Sequence, residues 1–364
     1  MNENFIEVVP NIKESEICPI CRKGILELEN TSFNDNQLQY VCKNCNNRTM
    51  KDKPKITDKI LKAVFSNHTE WLEAQGNNKT ASILSMYDIR GYSFADLDLS
   101  FLNFSYADLT GCNFKNARCF HTNFKYANCS ETDFSNASLR GASIVSTNFT
   151  KSVMREVDLC NTSIKNADFS QADLLEGKFI GSSFKKCLFT ETNMVATSFN
   201  NAKLMECNLE SADMRYSVFT NSNFYKSNLN KAKLDYVQAY KIIIKDSKMQ
   251  EASAQNTNFT EGTISTTNIN GLNLLSATLI RSNLDDAILQ FGGYGSHQEI
   301  ISYNLSRDQL SSPWNKKPIT LKQFAELATK YKDRVFLAVA QTFAIAQENY
   351  KITHQEIIQQ KNAR

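Results

Sequence analysis

Hydrophobic side chains recur at every fifth residue from Leu99 to Leu289. Those 39 positions hold 13 Phe, 13 Leu, 5 Ile, 4 Met, 2 Cys and 2 Ala, and no polar residue. A second beat lies two residues earlier. From Ala107 to Ala287, 33 of 37 positions are Ala, Ser, Thr, Cys or Gly. Stretches such as Tyr106-Ala107-Asp108-Leu109 and Asn166-Ala167-Asp168-Phe169 show the unit: a small residue, a polar one, a large apolar one, then two more polar ones. An amphipathic helix repeats its apolar face every 3.6 residues and a half-buried strand every 2. A period of five fits neither. It predicts a chain that turns a corner once per unit and points one large and one small side chain inward.

On these residues the segment resembles the pentapeptide-repeat proteins. The resemblance implies a mainly β fold, a right-handed four-sided parallel β-helix (a solenoid) with four units of the repeat per coil. Residues one coil apart then stack: Phe104 on Phe124, Ile144, Ile164 and Phe184, and Phe149 on Phe169 and Phe189. Ten coils at the interstrand spacing of ~4.8 Å give a rod of ~50 Å. The five prolines, Pro10, Pro19, Pro54, Pro313 and Pro318, all lie outside the repeat, as expected where each coil needs its N–H groups for a ladder. Two irregularities are expected. Ala95-Asp96-Leu97 is a good unit in the wrong phase, which predicts a shifted first coil. Around Val237-Gln238-Ala239 and Ile242-Ile243-Ile244, bulky residues take small sites and Ala takes a large one, which predicts a bulge or an irregular coil.

The flanks read differently. Cys18-Pro19-Ile20-Cys21 and Cys42-Lys43-Asn44-Cys45 are two C-x-x-C pairs separated by the stretch Arg22–Val41, a zinc-ligand spacing. With the alternating segments Ile25–Leu28 and Leu38–Val41 between them, the arrangement resembles a zinc ribbon. Four thiolates close a tetrahedral site, so Cys18, Cys21, Cys42 and Cys45 predict a structural Zn2+. Residues 56–75 read as one helix, expected to cover the open edge of the first coil. Beyond Leu289, Gly292-Gly293-Tyr294-Gly295 reads as a hinge, and 319–331 and 333–350 read as helices, a candidate homodimer or partner element. The expected domains are 1–54, zinc-ribbon-like; 55–84, helical linker and cap; 85–290, β-helix; and 291–364, helical.

Net charge is +3 over 364 residues, which names no partner. No apolar run reaches the ~20 residues that span a bilayer, and the first residues do not read as a signal peptide, so a cytoplasmic location without membrane contact is expected. Of the six repeat cysteines, Cys112, Cys119, Cys129, Cys187 and Cys207 fall on inward positions, and Cys160 is expected to face out. Sorting outward charges by face is more informative. The adjacent faces centred on Phe104 and Cys119 hold 12 bases and 6 acids; the other two hold 7 bases and 12 acids. The basic side carries Lys125, Lys165, Lys185, Lys186, Lys226, Lys245, Arg118 and Arg140, with Tyr106 and Tyr126 one coil apart as candidate stacking groups. A basic surface attracts phosphate backbones in a salt-dependent way.

None of the four histidines lies in a nucleophile or metalloprotease motif, and the regular Asp before each central residue is explained by the repeat. The chain therefore reads as a non-enzymatic binding scaffold with no catalytic residue. Its partner is nucleic acid or nucleic-acid machinery on the basic side, or a protein partner docked without nucleic acid. Quinolone-resistance members of the resembled family are strongly acidic DNA mimics. The repeat here is near neutral, with 20 bases and 21 acids from residue 85 to 290, which argues against that role.

Overall fold

The computed structural model describes residues 26–30, 37–42, 45, 48–73, 84–269, 272, 277, 287–292, 300–305, 310–311 and 318–319. It divides into two units, Met1–Ala172 and Asp173–Arg364.

The first unit opens with three strands, β1 (Leu26–Asn30), β2 (Gln37–Cys42) and β3 (Arg48–Asp52). They pair antiparallel in the order β1-β2-β3. Helix α1 (Asp58–Glu73) follows, within the range its apolar spacing predicts, and the coils begin at Leu84. Each coil is laddered to the next in parallel. Asn103 is paired with Asn123, and Asp108 with Asn128. The Phe104 N–H donates to the Asn123 carbonyl at 2.8 Å, and the Asp108 N–H donates back to the Tyr87 carbonyl at 2.8 Å. Two short strands, β4 (Ile144–Val145) and β5 (Ser163–Lys165), pair in parallel on one face.

The second unit is coiled in the same way and holds β6 (Ser183–Lys185), β7 (Lys203–Met205), β8 (Asn223–Tyr225), β9 (Ile243–Lys245) and β10 (Thr263–Ser265). Neighbours in this series pair in parallel, with Phe224 opposite Leu204 and Ile244. Then the architecture changes. β11 (Ala287–Gly292) and β12 (Ile300–Leu305) form an antiparallel pair, as do β13 (Leu310–Ser311) and β14 (Pro318–Ile319). Leu289, the last beat of the sequence pattern, therefore sits in an antiparallel strand opposite Tyr303. Gly292, first residue of the expected hinge, closes β11; the rest of that hinge lies outside the described residues. Of the helix expected over 319–331 only Ile319 is described, and it is in β14. The helix expected over 333–350, with its candidate dimer contact, lies outside the described residues.

The core is one spine per unit. Every fifth residue from Leu84 to Ile269 is buried. Rings stack from one coil to the next: Phe114 on Phe134 at 4.7 Å, Phe149 on Phe169 at 5.0 Å, and, in the second unit, Phe179 on Phe199 at 4.5 Å. At each corner the second residue after the central one has a positive φ, from Met86 to Thr266. Most corners close with a hydrogen bond such as Ala107 N–H to Phe104 C=O at 3.0 Å, the pattern of a type II turn. Small inward residues carry polar atoms without penalty because the previous coil receives them. The Thr122 hydroxyl donates to Leu99 C=O at 2.7 Å, and that of Thr147 to Phe124 C=O at 2.7 Å.

Three expectations are corrected. The first coil is not shifted: Leu84, Ile89 and Phe94 carry the same phase upstream of Leu99, while Leu97 turns outward. Helix α1 and Phe94, in edge contact with Phe65 at 5.8 Å, fix that phase. No bulge occurs near 237–244. Gln238 pairs with Val218 and Asn258, and Ile243 with Asn223 and Thr263, in unbroken register. Val237, Ala239 and Ile242 are all buried, so the exchange of bulk between small and large sites is accommodated inside the coil. Cys160 does not face out; it is 4% exposed. Its N–H caps Asp158 at 3.0 Å, and Arg140 from the preceding coil closes over the same carboxylate at 2.7 Å.

Candidate binding surfaces

Within most units of five, three residues lie on the outer side of the coil, the one before the central residue and the two after it, with Asp108 and Cys160 covered. Where the first is Asp or Asn, it is in most units committed to the fold. Its side-chain oxygen accepts the N–H two residues on, as in Asn103 to Ser105 at 2.9 Å and Asp168 to Ser170 at 2.8 Å. Asparagines there also bridge coils: Asn123 Nδ2 donates to Asn103 Oδ1 at 2.9 Å, and Asn228 Nδ2 to Asn208 Oδ1 at 3.0 Å. The regular Asp and Asn are therefore turn-forming groups. Surface chemistry is left to the two positions after each central residue and to the preceding position where it is neither Asp nor Asn, as at Arg118, Lys203 and Ile243.

In the first unit, Lys125 and Lys165 are exposed, as are Arg118 and Arg140. The arginines are largely answered within the fold. Arg118 lies 3.6 Å from Asp98 and covers the Phe120 ring at 5.3 Å. Arg140 pairs with Asp158 at 2.7 Å. Burial pushes Asp158 up, yet the Cys160 groups and Arg140 outweigh it and leave the carboxyl below its ordinary value. Tyr106 and Tyr126 do lie one coil apart, but they stack on each other, 4.7 Å between centroids and 10° from parallel.

The second unit presents the denser basic surface. On the face of β6–β10, Lys185, Lys186, Lys203, Lys226 and Lys245 are all exposed, against the acids Glu206 and Asp246. Lys186 pairs with Glu206 at 3.6 Å. Lys226 sits over the Tyr225 ring at 5.1 Å. A hydrogen bond to that tyrosine, with Glu206 and Asp246 nearby, holds its ammonium above the ordinary value. Met205, Tyr225 and Ile243 (42% exposed) interleave the lysines. Successive strands at ~4.8 Å set β6 and β10 ~19 Å apart. On other faces of this unit the charges are mixed: Asp213 pairs with Arg215 at 2.7 Å and Lys233 at 3.8 Å, beside the stacked and exposed Tyr216 and Tyr236.

Of the four expected zinc ligands, Cys42 ends β2 and Cys45 is exposed in the turn before β3; Cys18 and Cys21 lie outside the described residues. Among the described residues no cluster of three or more His, Cys, Asp or Glu is placed to hold a metal. The inward repeat cysteines are core. Burial pushes the Cys112 thiol up to about 12, and that of Cys129 well above its ordinary value. Cys207 is drawn down by a hydrogen bond from the Cys187 thiol one coil back.

Two features escaped the sequence reading. One is an aromatic run at the capped end: His68 stacks on Trp71 at 5.8 Å, Trp71 meets Phe101 edge-on at 5.6 Å, and Phe101 stacks on His121 at 5.2 Å. Phe101 and His121 are one coil apart, so the signal that flagged Tyr106 and Tyr126 was present. The other is His68 itself, buried under α1 with neither ring nitrogen hydrogen-bonded.

Comparison with known proteins places these observations. A model of pentapeptide repeats in eight copies matches residues 90–116, 117–155 and 137–175, and one of the pentapeptide repeat region matches 162–239. No curated protein matches the sequence. Among solved structures, HetL, a pentapeptide repeat protein involved in heterocyst differentiation regulation in the cyanobacterium Nostoc sp. strain PCC 7120, is 18% identical. The match covers 61% of this chain and 96% of that one, with a TM-score of 0.42. Full-length QnrB1, a plasmid-mediated fluoroquinolone resistance protein, is 15% identical over 56% of this chain and 94% of its own, with a TM-score of 0.23. A pentapeptide repeat protein of the Arabidopsis thaliana thylakoid lumen is 22% identical over 35% and 63%, with a TM-score of 0.19.

Proposed function

From the premise that this chain is a pentapeptide-repeat protein folded as a parallel β-solenoid, we propose that it is a non-enzymatic binding scaffold. We infer that its working surface is the β6–β10 face, engaging nucleic acid or nucleic-acid machinery. One observation carries this reading: five exposed lysines against two acids on a run of paired parallel strands, where the inward side chains are consumed by packing. A row of ammonium groups on a strand face suits a polyanion, whose phosphates displace counterions as they bind.

A second reading is a protein partner docked on the same face. Met205, Tyr225 and Ile243 favour it, since apolar groups between charges suit a polypeptide interface, and Lys186 is already answered by Glu206. Filter binding of duplex and single-stranded nucleic acid across a salt series separates the two. The first reading expects an affinity that falls steeply with salt, with the slope reduced by about 1 for each of Lys185→Glu, Lys203→Glu and Lys245→Glu. Flat, weak binding unaffected by these changes defeats it and leaves the protein partner. The N-terminal thiols are proposed to hold one structural Zn2+, a docking module beside the solenoid.

A further inference from the structure

Helix α1 lies against the first coil. Leu61, Val64 and His68 are its buried residues. Phe65 meets Phe94 edge-on at 5.8 Å, and Trp71 meets Phe101 at 5.6 Å. Just before the helix, the chain joins the ladder itself. Lys55 pairs in parallel with Asp88, the Asp88 N–H donates to Pro54 C=O at 2.9 Å, and the Ile56 N–H donates to Asp88 C=O at 3.2 Å. At the helix start, Tyr92 Oη donates to Asp58 at 2.9 Å. The attachment is thus hydrogen-bonded near its beginning and apolar along its length, with one exception.

That exception is His68. It is 1% exposed, and both Nδ1 and Nε2 lack a hydrogen-bond partner. A buried polar atom without a partner is unfavourable, so a histidine at this position needs a reason that Leu or Phe would not. Its neighbours supply little that would hold a charge. From the coil come the Asp98 carboxylate, already shared with Arg118 at 3.6 Å, and the backbone of Ser100. From the helix comes the Trp71 ring, stacked at 5.8 Å and 10°. The helix charges Lys59, Lys62, Glu70 and Glu73 all lie away from it, towards solvent.

We propose that α1 is an acid-releasable cap on the first coil and that His68 is its trigger. Released, a histidine takes up a proton near its ordinary value of 6.5; docked, burial holds it below that value despite Asp98 and Ser100. The docked state is therefore fully favoured above the ordinary value. It loses ground as pH falls from there towards the depressed one, because the released state binds the proton more tightly. Release uncovers Phe94 and the coil edge, whose unpaired backbone groups can then meet a partner strand.

The test uses the full-length chain carrying Trp314→Phe, which leaves Trp71 as the sole tryptophan. Lowering the pH from about 8 to about 5 is expected to shift Trp71 emission and to lower the amide protection factors across α1, taken against the intrinsic exchange rate at each pH, about ten-fold. Protection factors in the coils from Phe114 to Phe134 should not change. His68→Phe keeps a stacking ring without a titrating group and is expected to abolish the response. Where that variant docks poorly, the His68 proton resonances of the unaltered residue decide: titration below the ordinary value supports the cap. An α1 that stays protected at low pH overturns it, as does a response that survives His68→Phe or a His68 that titrates at its ordinary value.

Discussion

A residue's worth in this fold depends on which of its five positions it holds. Phe114 occupies a central position and touches Phe94, Phe104, Phe124 and Phe134, with centroids 4.7–5.9 Å away. Phe114→Ala is expected to cost about 3–5 kcal/mol in urea unfolding, because stacked coils above and below prevent the site from collapsing. Corner residues obey a different rule. Gly91 and Gly141 both have positive φ, 73° and 67°. A Cβ at Gly91 meets nothing within 4 Å, whereas at Gly141 it lies 2.6 Å from the His121 ring. Gly91→Ala should therefore cost about 1 kcal/mol, the backbone term alone. Gly141→Ala should cost more, and the excess should vanish in a His121→Ala background; a double-mutant cycle measures it. The buried thiols give a third residue-scale expectation. With Cys112 raised to about 12, it should resist thiol reagents at neutral pH until the coil unfolds, since the thiolate is the reactive form.

At the scale of the coil, register matters more than composition. The N–H of a central residue reaches a carbonyl in the next coil, as Phe104 reaches Asn123, and the N–H just before a central residue reaches back one coil, as Asp108 reaches Tyr87. The repeat length is therefore set by the ladder. Deleting residues 109–128 removes one whole coil and keeps every column aligned. Deleting 109–125 breaks the register of all that follow. The first deletion should retain a cooperative unfolding transition, and the second should lose it; equal damage would contradict the stacked coil. The same logic explains why the expected bulge near Ala239 is absent. A local exchange of volume between Val237, Ala239 and Ile242 costs less than dislocating two neighbouring ladders. Sequence periodicity revealed the coil because one side chain per corner must always be large. It could not reveal the compensation, which depends on what lies across the interior.

At the scale of the molecule, charge is distributed by face, and the fold modifies what the counts suggest. Arg118, Arg140 and Lys186 meet Asp98, Asp158 and Glu206 from adjacent coils. Among the described residues the exposed lysines of β6–β10 remain the densest cationic surface, and raising salt should weaken whatever anionic partner they hold. For the N-terminal part, Cys18→Ser is expected to abolish zinc uptake, measured by metal analysis, and to destabilise the β1–β3 region while the solenoid keeps its circular dichroism. Loss of the solenoid on chelation would contradict a separate module.

By itself the sequence determined the period, the inward spine, the helix that caps the first coil and the identity of the outward charges. Each follows from which side chains must be hidden at every corner, a requirement written into five consecutive residues. Only the tertiary structure decided which charges are already paired, that Cys160 is covered, that the beat ends in an antiparallel pair at Leu289, and that His68 lies buried without a partner. Those outcomes depend on atoms distant in the chain meeting across neighbouring coils or beneath the cap, and no local pattern records such a meeting.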